Sequence, residues 1–222
     1  VIDLRDSLRE QYPEQNIYVL GRILFEYDSY NAQIKDAKYL FPIVMLTILG
    51  LMYFCLRSLS FALAIAVVSV MSVGLTVGTV GWAQVPFNQI SNMGPLVVFM
   101  IAMADSIHLV SVYLQGLHKS LSKFEALSES LRVNIQPVTL ATVTTAMGFL
   151  SLNYCASPGI YGFGNVVAMG VVWAFLVTFT LLPALILLLP VKKVPEPLGV
   201  KGFINFVAKL VANHGKQLFW GS

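Results

Sequence analysis

The chain has 222 residues, of which 57% are hydrophobic and 11% charged, with a formal net charge of +3 and a mean hydropathy of +0.75. A soluble globular domain carries about 25% charged residues, so this composition excludes a surface that meets water on every side. No basic patch with interleaved aromatics is present, so the net positive charge does not suggest a nucleic-acid partner and none is expected.

Residues 1–38 hold seven acidic residues (Asp3, Asp6, Glu10, Glu14, Glu26, Asp28, Asp36) and five basic ones. Asn16–Leu20 reads as a strand ending at Gly21, and Asp28–Lys38 as a helix leading into an apolar segment. Together these residues form the expected tail of an extracytoplasmic domain, too short to be a domain alone. The chain starts at Val1 and stops inside the apolar, aromatic run Leu218–Ser222, so it is expected to be an excerpt of a longer protein.

A hydrocarbon core of about 30 Å needs roughly 20 mostly apolar residues in a helix. Five stretches qualify: Tyr39–Leu56, Leu59–Trp82, Gly94–Gln115, Ile135–Cys155 and Tyr161–Leu189. Only Arg57 and Ser58 separate the first two, which predicts a tight helical hairpin. The fifth is long enough to tilt. The fold class is therefore an all-α membrane protein, a bundle of five transmembrane helices over 39–190 with a short α/β tail before it.

Lysine and arginine bias sets the orientation. Arg57, then Lys119, Lys123 and Arg132, then Lys192, Lys193, Lys201, Lys209 and Lys216 fall on one side, whereas Ala83–Met93 and Ala156–Ile160 carry no charge. The C-terminal segment is expected in the cytoplasm and residues 1–38 outside. Cys55 and Cys155 then lie at opposite faces of the bilayer, which excludes a disulfide between them; they read as small hydrophobes.

Two cytoplasmic pieces are amphipathic. Ser120–Asn134 sets Leu121, Phe124, Leu127 and Leu131 against Lys123, Glu125, Glu129 and Arg132, close to a helical period. In 199–213, Phe203, Phe206, Val207, Leu210 and Val211 oppose Lys201, Asn205 and Lys209. That pattern fits a helix lying in the inner-leaflet interface or one packed on protein. Residues 191–222 are thus read as this helix and the start of a further spanning one.

Between residues 39 and 190 only three acids occur, Asp105, Glu125 and Glu129, and Asp105 alone sits at mid-span. A carboxylate there costs about 2.5–3.5 kcal/mol on insertion scales. Protonation, or a polar helix interface, reduces that cost, and either makes Asp105 a candidate for reversible protonation; a neutral acid bonded between helices is the alternative. His108 is one turn on and shares a face with Asp105, as a relay partner or as an interfacial histidine. Ser106 lies about 100° round the helix. The next span holds Thr139, Thr142, Thr144 and Thr145; Thr142 and Thr145, with Ser106, are taken as a supporting polar face, although such hydroxyls commonly bond their own i−4 carbonyls. Gly74 and Gly78 form a G-x-x-x-G pattern extended by Gly81. With Gly148, Gly164 and Gly170 they are expected to permit close helix packing.

No P-loop, H-E-x-x-H, paired-cysteine or G-x-S-x-G motif occurs, so no ATPase, protease or hydrolase chemistry is signalled, and no cofactor or metal is expected. Any transport would draw on an ion gradient.

The order of features then resembles a known family. The third span carries the acid in Ile101-Ala-Met-Ala-Asp105-Ser-Ile-His108-Leu. The fourth reads from Pro137 through Thr142, Thr144, Thr145 and Gly148 to Leu152. The fifth contains Tyr161-Gly-Phe-Gly164, Gly170 and Thr180-Leu-Leu-Pro-Ala-Leu185. Over nearly the whole chain this is similar to the second to sixth helices of one half of RND-superfamily transporters, nearest to the hydrophobe/amphiphile and mycobacterial-lipid exporters and related to sterol-sensing domains. The resemblance implies a proton-driven secondary transporter of the cell inner membrane, not an enzyme. It would export hydrophobic or lipid-like molecules with membrane lipids and protons as partners, and would work with a second transporter half, in an oligomer. It makes Asp105 the proton-relay acid. The family often has glycines two and four residues before the acid and a tyrosine after it, where this chain has Met103, Ile101 and Ser106; the Asp-Ser-x-His form found in a subset suits His108. The proton partner of Asp105 stays open, as does a lipid-sensing module or a scaffold subunit without transport.

The topology has a direct test in a background with Cys55 and Cys155 replaced. An impermeant thiol reagent applied to intact cells is expected to label Ser157→Cys and to leave Lys193→Cys untouched; the reverse pattern would invert the chain.

Overall fold

A computed structural model describes Ser7, residues 10–12, 21–85, 88–155 and 157–189. The expected strand at Asn16–Leu20 and the amphipathic segment 199–213 lie outside the described residues.

The described residues form helices and their connections, with no strand among them. The five long helices are α1 (Arg22–Leu56), α2 (Leu59–Trp82), α3 (Gly94–His118), α4 (Lys123–Leu150) and α5 (Pro158–Leu188), with short 3₁₀ turns at Ser91–Met93 and Ser151–Tyr154. Four of these are long and apolar enough to cross a bilayer, and α1 carries a shorter apolar stretch, Pro42–Phe54.

The sequence-derived segments merge where helical propensity runs through a boundary. The expected outer helix at Asp28–Lys38 and the first span are one continuous helix that passes through Pro42. The amphipathic piece before residue 134 and the fourth span likewise form the single helix α4, which contains Pro137. Its start is fixed by a capping box. Ser122 Oγ accepts from the Glu125 backbone N–H at 3.3 Å, and Glu125 Oε2 accepts from the Ser122 N–H at 2.9 Å. Two otherwise orphaned helix N–H groups are satisfied in this way. At the α1–α2 hairpin Arg57 adopts the left-handed conformation (φ 48°) and donates its backbone N–H to Tyr53 O at 2.7 Å. Cys155 is an exposed free thiol, just past the 3₁₀ turn that follows α4.

In the bundle α5 packs against α2, α3 and α4, α3 packs against α2, α4 and α5, and α1 lies along α2. The core joins Ala62, Ile65 and Val68 of α2, Leu109, Val110 and Tyr113 of α3, and Leu182 and Ile186 of α5. Ser69, Ser72 and Thr76 line the buried side of α2, each donating its hydroxyl to its own i−4 carbonyl at 2.7–3.0 Å. Spent in this way, the hydroxyls behave as small packing groups and let neighbouring helices approach. On the outer surface sit Leu63, Val67, Val70 and Met71 of α2, Leu140, Val143 and Met147 of α4, and Val172 and Leu176 of α5, all exposed as lipid-facing side chains would be.

The glycines divide into two groups. A Cβ on Gly170 would collide with Val98 of α3 and come within 3.0 Å of Thr76 of α2, so three helices meet there. One on Gly164 would strike the carbonyl of Phe149, so α5 approaches the end of α4 closely there. Gly74, Gly78 and Gly148 meet nothing within 4 Å, so the expected packing role of these three is not realised among the described residues. The reason is rotational: Gly74 is two residues, about 200°, round the helix from Ser72. α2 therefore packs with its Ser/Thr row and turns its glycine row outward.

Outside the helices' own backbone ladders, side-chain clamps tie α5 to its neighbours. Trp173 Nε1 donates to Thr79 Oγ1 of α2 at 3.2 Å. Asn153 and Asn165 exchange amide hydrogen bonds at 3.0 and 2.9 Å, closing the α4–α5 connection.

Gly170→Ala should therefore destabilise the purified protein by about 1–3 kcal/mol through overpacking. Gly74→Ala should stay within about 0.5 kcal/mol, as surface substitutions generally do. Thermal unfolding in detergent compares the two, and equal losses would place the glycine row of α2 in a contact after all.

Candidate functional site

Asp105 lies near the middle of α3, half-buried, at the edge of that helix's packed face. On the same helix, Ala102, Met103, Ser106 and Leu109 at neighbouring levels are all buried. Among the described residues no hydrogen bond or ion pair reaches its carboxyl group. His108 is exposed and close enough to act on Asp105 through space, without a direct contact.

Ser106 is fully buried and faces away from Asp105, toward α5, with its Oγ 3.5 Å from Thr178 Oγ1. This is a long hydrogen bond between two hydroxyls in the core, and it links α3 to α5 at the depth of the acid.

α4 buries a narrow stripe, Ala126, Leu127, Ser130, Asn134, Val138 and Thr142, and packs against both α3 and α5. Ser130 Oγ donates to the Leu109 carbonyl of α3 at 2.6 Å, and both groups are buried. A Cβ on Gly116 of α3 would come within 2.9 Å of the Ala126 side chain, so the helices are in close contact there. Leu109 and Gly116 lie about one and three turns beyond Asp105 on one stripe of α3, the stripe that meets α4. α4 runs antiparallel, so one turn on from Ser130 corresponds to one turn back from Leu109. That sets Asn134 of α4 at the depth of Asp105.

Asn134 was not among the sequence-derived candidates. It is buried, 7% exposed, and its Nδ2 donates to the Ser130 carbonyl at 2.8 Å. The signal that could have found it is its spacing, since Ser130, Asn134, Val138 and Thr142 recur every four residues. The sequence instead singled out hydroxyls. Thr142 is buried on that stripe and Thr145 half-buried, but Thr142 lies two turns, about 12 Å, past Asn134. The supporting polar face expected from Thr142 and Thr145 is therefore not gathered at Asp105, because antiparallel packing pairs their level with the start of α3. Thr139 and Thr144 are exposed and donate to their own helix, to Ile135 O at 2.5 Å and Leu140 O at 2.9 Å.

A further polar group lies deeper. The Tyr113 side chain is completely buried, its ring edge-on to Phe61 of α2 with centroids 5.9 Å apart, and its hydroxyl has no hydrogen-bond partner among the described residues. Among the described residues no three His, Cys, Asp or Glu side chains converge as a metal site would require.

A bundle of long apolar helices with lipid-like side chains outward and a lone mid-span acid defines a multi-pass membrane protein. The chain belongs to the MMPL family, whose model matches residues 1–205. It is also similar to the hopanoid transporter HpnN of Rhodopseudomonas palustris (strain TIE-1), with 35% identity over 82 residues. That match covers 37% of this chain and 9% of the transporter. The resemblance to RND-type transporters drawn from the sequence is borne out by both.

Proposed function

We propose that the chain forms one half of the membrane domain of a secondary transporter that exports hydrophobic or amphiphilic, lipid-like molecules across the inner membrane. Inward proton flow drives it, and Asp105 takes up and releases the proton, with His108 beside it. A second half, in the same or a partner chain, completes the pathway. Residues 1–38 face outside and the C-terminal segment faces the cytoplasm.

One observation carries this reading: Asp105 is the lone carboxyl at mid-span, half-buried, with no countercharge in contact among the described residues. An acid that served only to tie helices together would be bonded to a neighbouring helix. The MMPL membership and the similarity to a hopanoid transporter support a lipid-like substrate. Energetically, protonation removes a charge from low dielectric, and each pKa unit of difference between two conformations is worth about 1.4 kcal/mol. A membrane potential of 100 mV adds about 2.3 kcal/mol per charge that crosses. Repacking α3 against α4 and α5 is the mechanical step those terms would drive.

Asp105→Asn is the test. The amide is nearly isosteric and cannot ionise, and a neutral acid and an amide both offer a donor and an acceptor. The variant should insert and fold at wild-type abundance yet lose proton-coupled efflux of a hydrophobic dye from cells expressing the full-length protein. His108→Ala should be milder if the histidine only tunes the acid and equally severe if it carries the proton onward. Wild-type efflux from well-expressed Asp105→Asn protein would sink the relay and leave a lipid-sensing or scaffold role.

A further inference from the structure

We propose that Asn134 is a positioning residue for Asp105, an acceptor that holds the proton on the neutral acid and releases the contact when the acid ionises. The inference rests on the relay reading of Asp105. Its own basis is the chemistry and orientation of one buried amide.

A carbonyl oxygen can only accept, so the Asn134 atom that meets the Ser130 carbonyl at 2.8 Å must be the NH2 group. That bond fixes the amide orientation and leaves Oδ1, an acceptor, as its other end. Among the described residues no donor occupies Oδ1. The buried Ser130 Oγ to Leu109 O bond one turn away ties α4 to α3, and the antiparallel register sets Asn134 near the depth of Asp105. A protonated carboxyl has an O–H to give to Oδ1, whereas a carboxylate would set acceptor against acceptor. Asn134 therefore discriminates between the two charge states of Asp105. Among the described residues no hydrogen bond joins Asp105 to Asn134.

The surrounding charges leave this pair electrically simple. α2 carries no titratable side chain, and α5 carries only Tyr161, near its outer end. On α4, Arg132 is exposed and paired with Glu129 at 2.9 Å, and Lys123 and Glu125 are exposed at the start of the helix. On α3, His108 acts on Asp105 through space, and Tyr113 lies two turns further on.

The experiment uses full-length protein in membrane vesicles and a hydrophobic carbodiimide, which reacts with protonated carboxyl groups, with Asp105→Asn as the blank. Labelling at Asp105 in the wild type should fall as pH rises. In Asn134→Leu, close in size and without an acceptor, the midpoint should move toward acid by about one pH unit, the scale of one lost hydrogen bond to the neutral form. Asn134→Gln, which keeps the amide, should restore most of that shift, an outcome that packing alone would not produce. If the leucine variant does not insert, Asn134→Ala reads the same change. Titrating labelling with an unmoved midpoint in the acceptor-less variant overturns the role of Asn134 and leaves the relay standing. Wild-type labelling that ignores pH overturns the relay itself, and this inference with it.

Discussion

The close crossing of α2, α3 and α5 at Gly170 is the contact on which the bundle depends. Lipid tails are as apolar as leucine, so no hydrophobic force draws these helices together and the gain must come from fit. With no side chain at Gly170, Val98 and Thr76 approach the α5 backbone directly. α5 can then lie against three helices at once. Ser72 and Thr76 contribute by being small and by satisfying their hydroxyls within α2.

From that crossing the bundle is built unequally. α2 and α3 bury broad faces, whereas α4 buries one thin stripe and leaves most of its circumference outward. That stripe is the more polar contact, with Ser130, Asn134 and Thr142 among its buried residues. It joins α3 by a hydroxyl-to-carbonyl bond at Leu109, with Leu127 in the apolar cluster beside it. Such a seam has few apolar contacts to lose when a charge beside it changes, and Asp105 lies along it. The rigid α2–α3–α5 crossing and the thinner α3–α4 seam thus divide the labour between scaffold and moving part under the proposed mechanism.

Much of this was legible in the chain. The number and rough limits of the apolar segments, the hairpin at Arg57 and Ser58, and the unusual place of Asp105 follow from length, hydropathy and the cost of a mid-span charge. The capping motif Ser122-x-x-Glu125 was present as well, although the sequence reading divided α4 at residue 134 because polarity changes there. The helix itself does not change, since backbone hydrogen bonding inside a span is indifferent to which side chains face water.

What the sequence could not determine is how each helix is turned about its axis. In a soluble helix the apolar stripe marks the buried face, but in α2 both faces are apolar and the pattern carries no phase. Gly74 and Gly78 therefore looked like a packing motif, while Ser69, Ser72 and Thr76 hold the buried side. Depth across a helix pair is equally silent: nothing in the spacing of residues 105 and 134 says that they share a level until the antiparallel register of α3 and α4 is known. The sequence by itself determined that apolar helices span and that one acid is placed among them, because those depend on transfer free energies of single residues. Only the tertiary structure decided which neighbours that acid has, because they depend on helix rotation and register, which close packing alone selects.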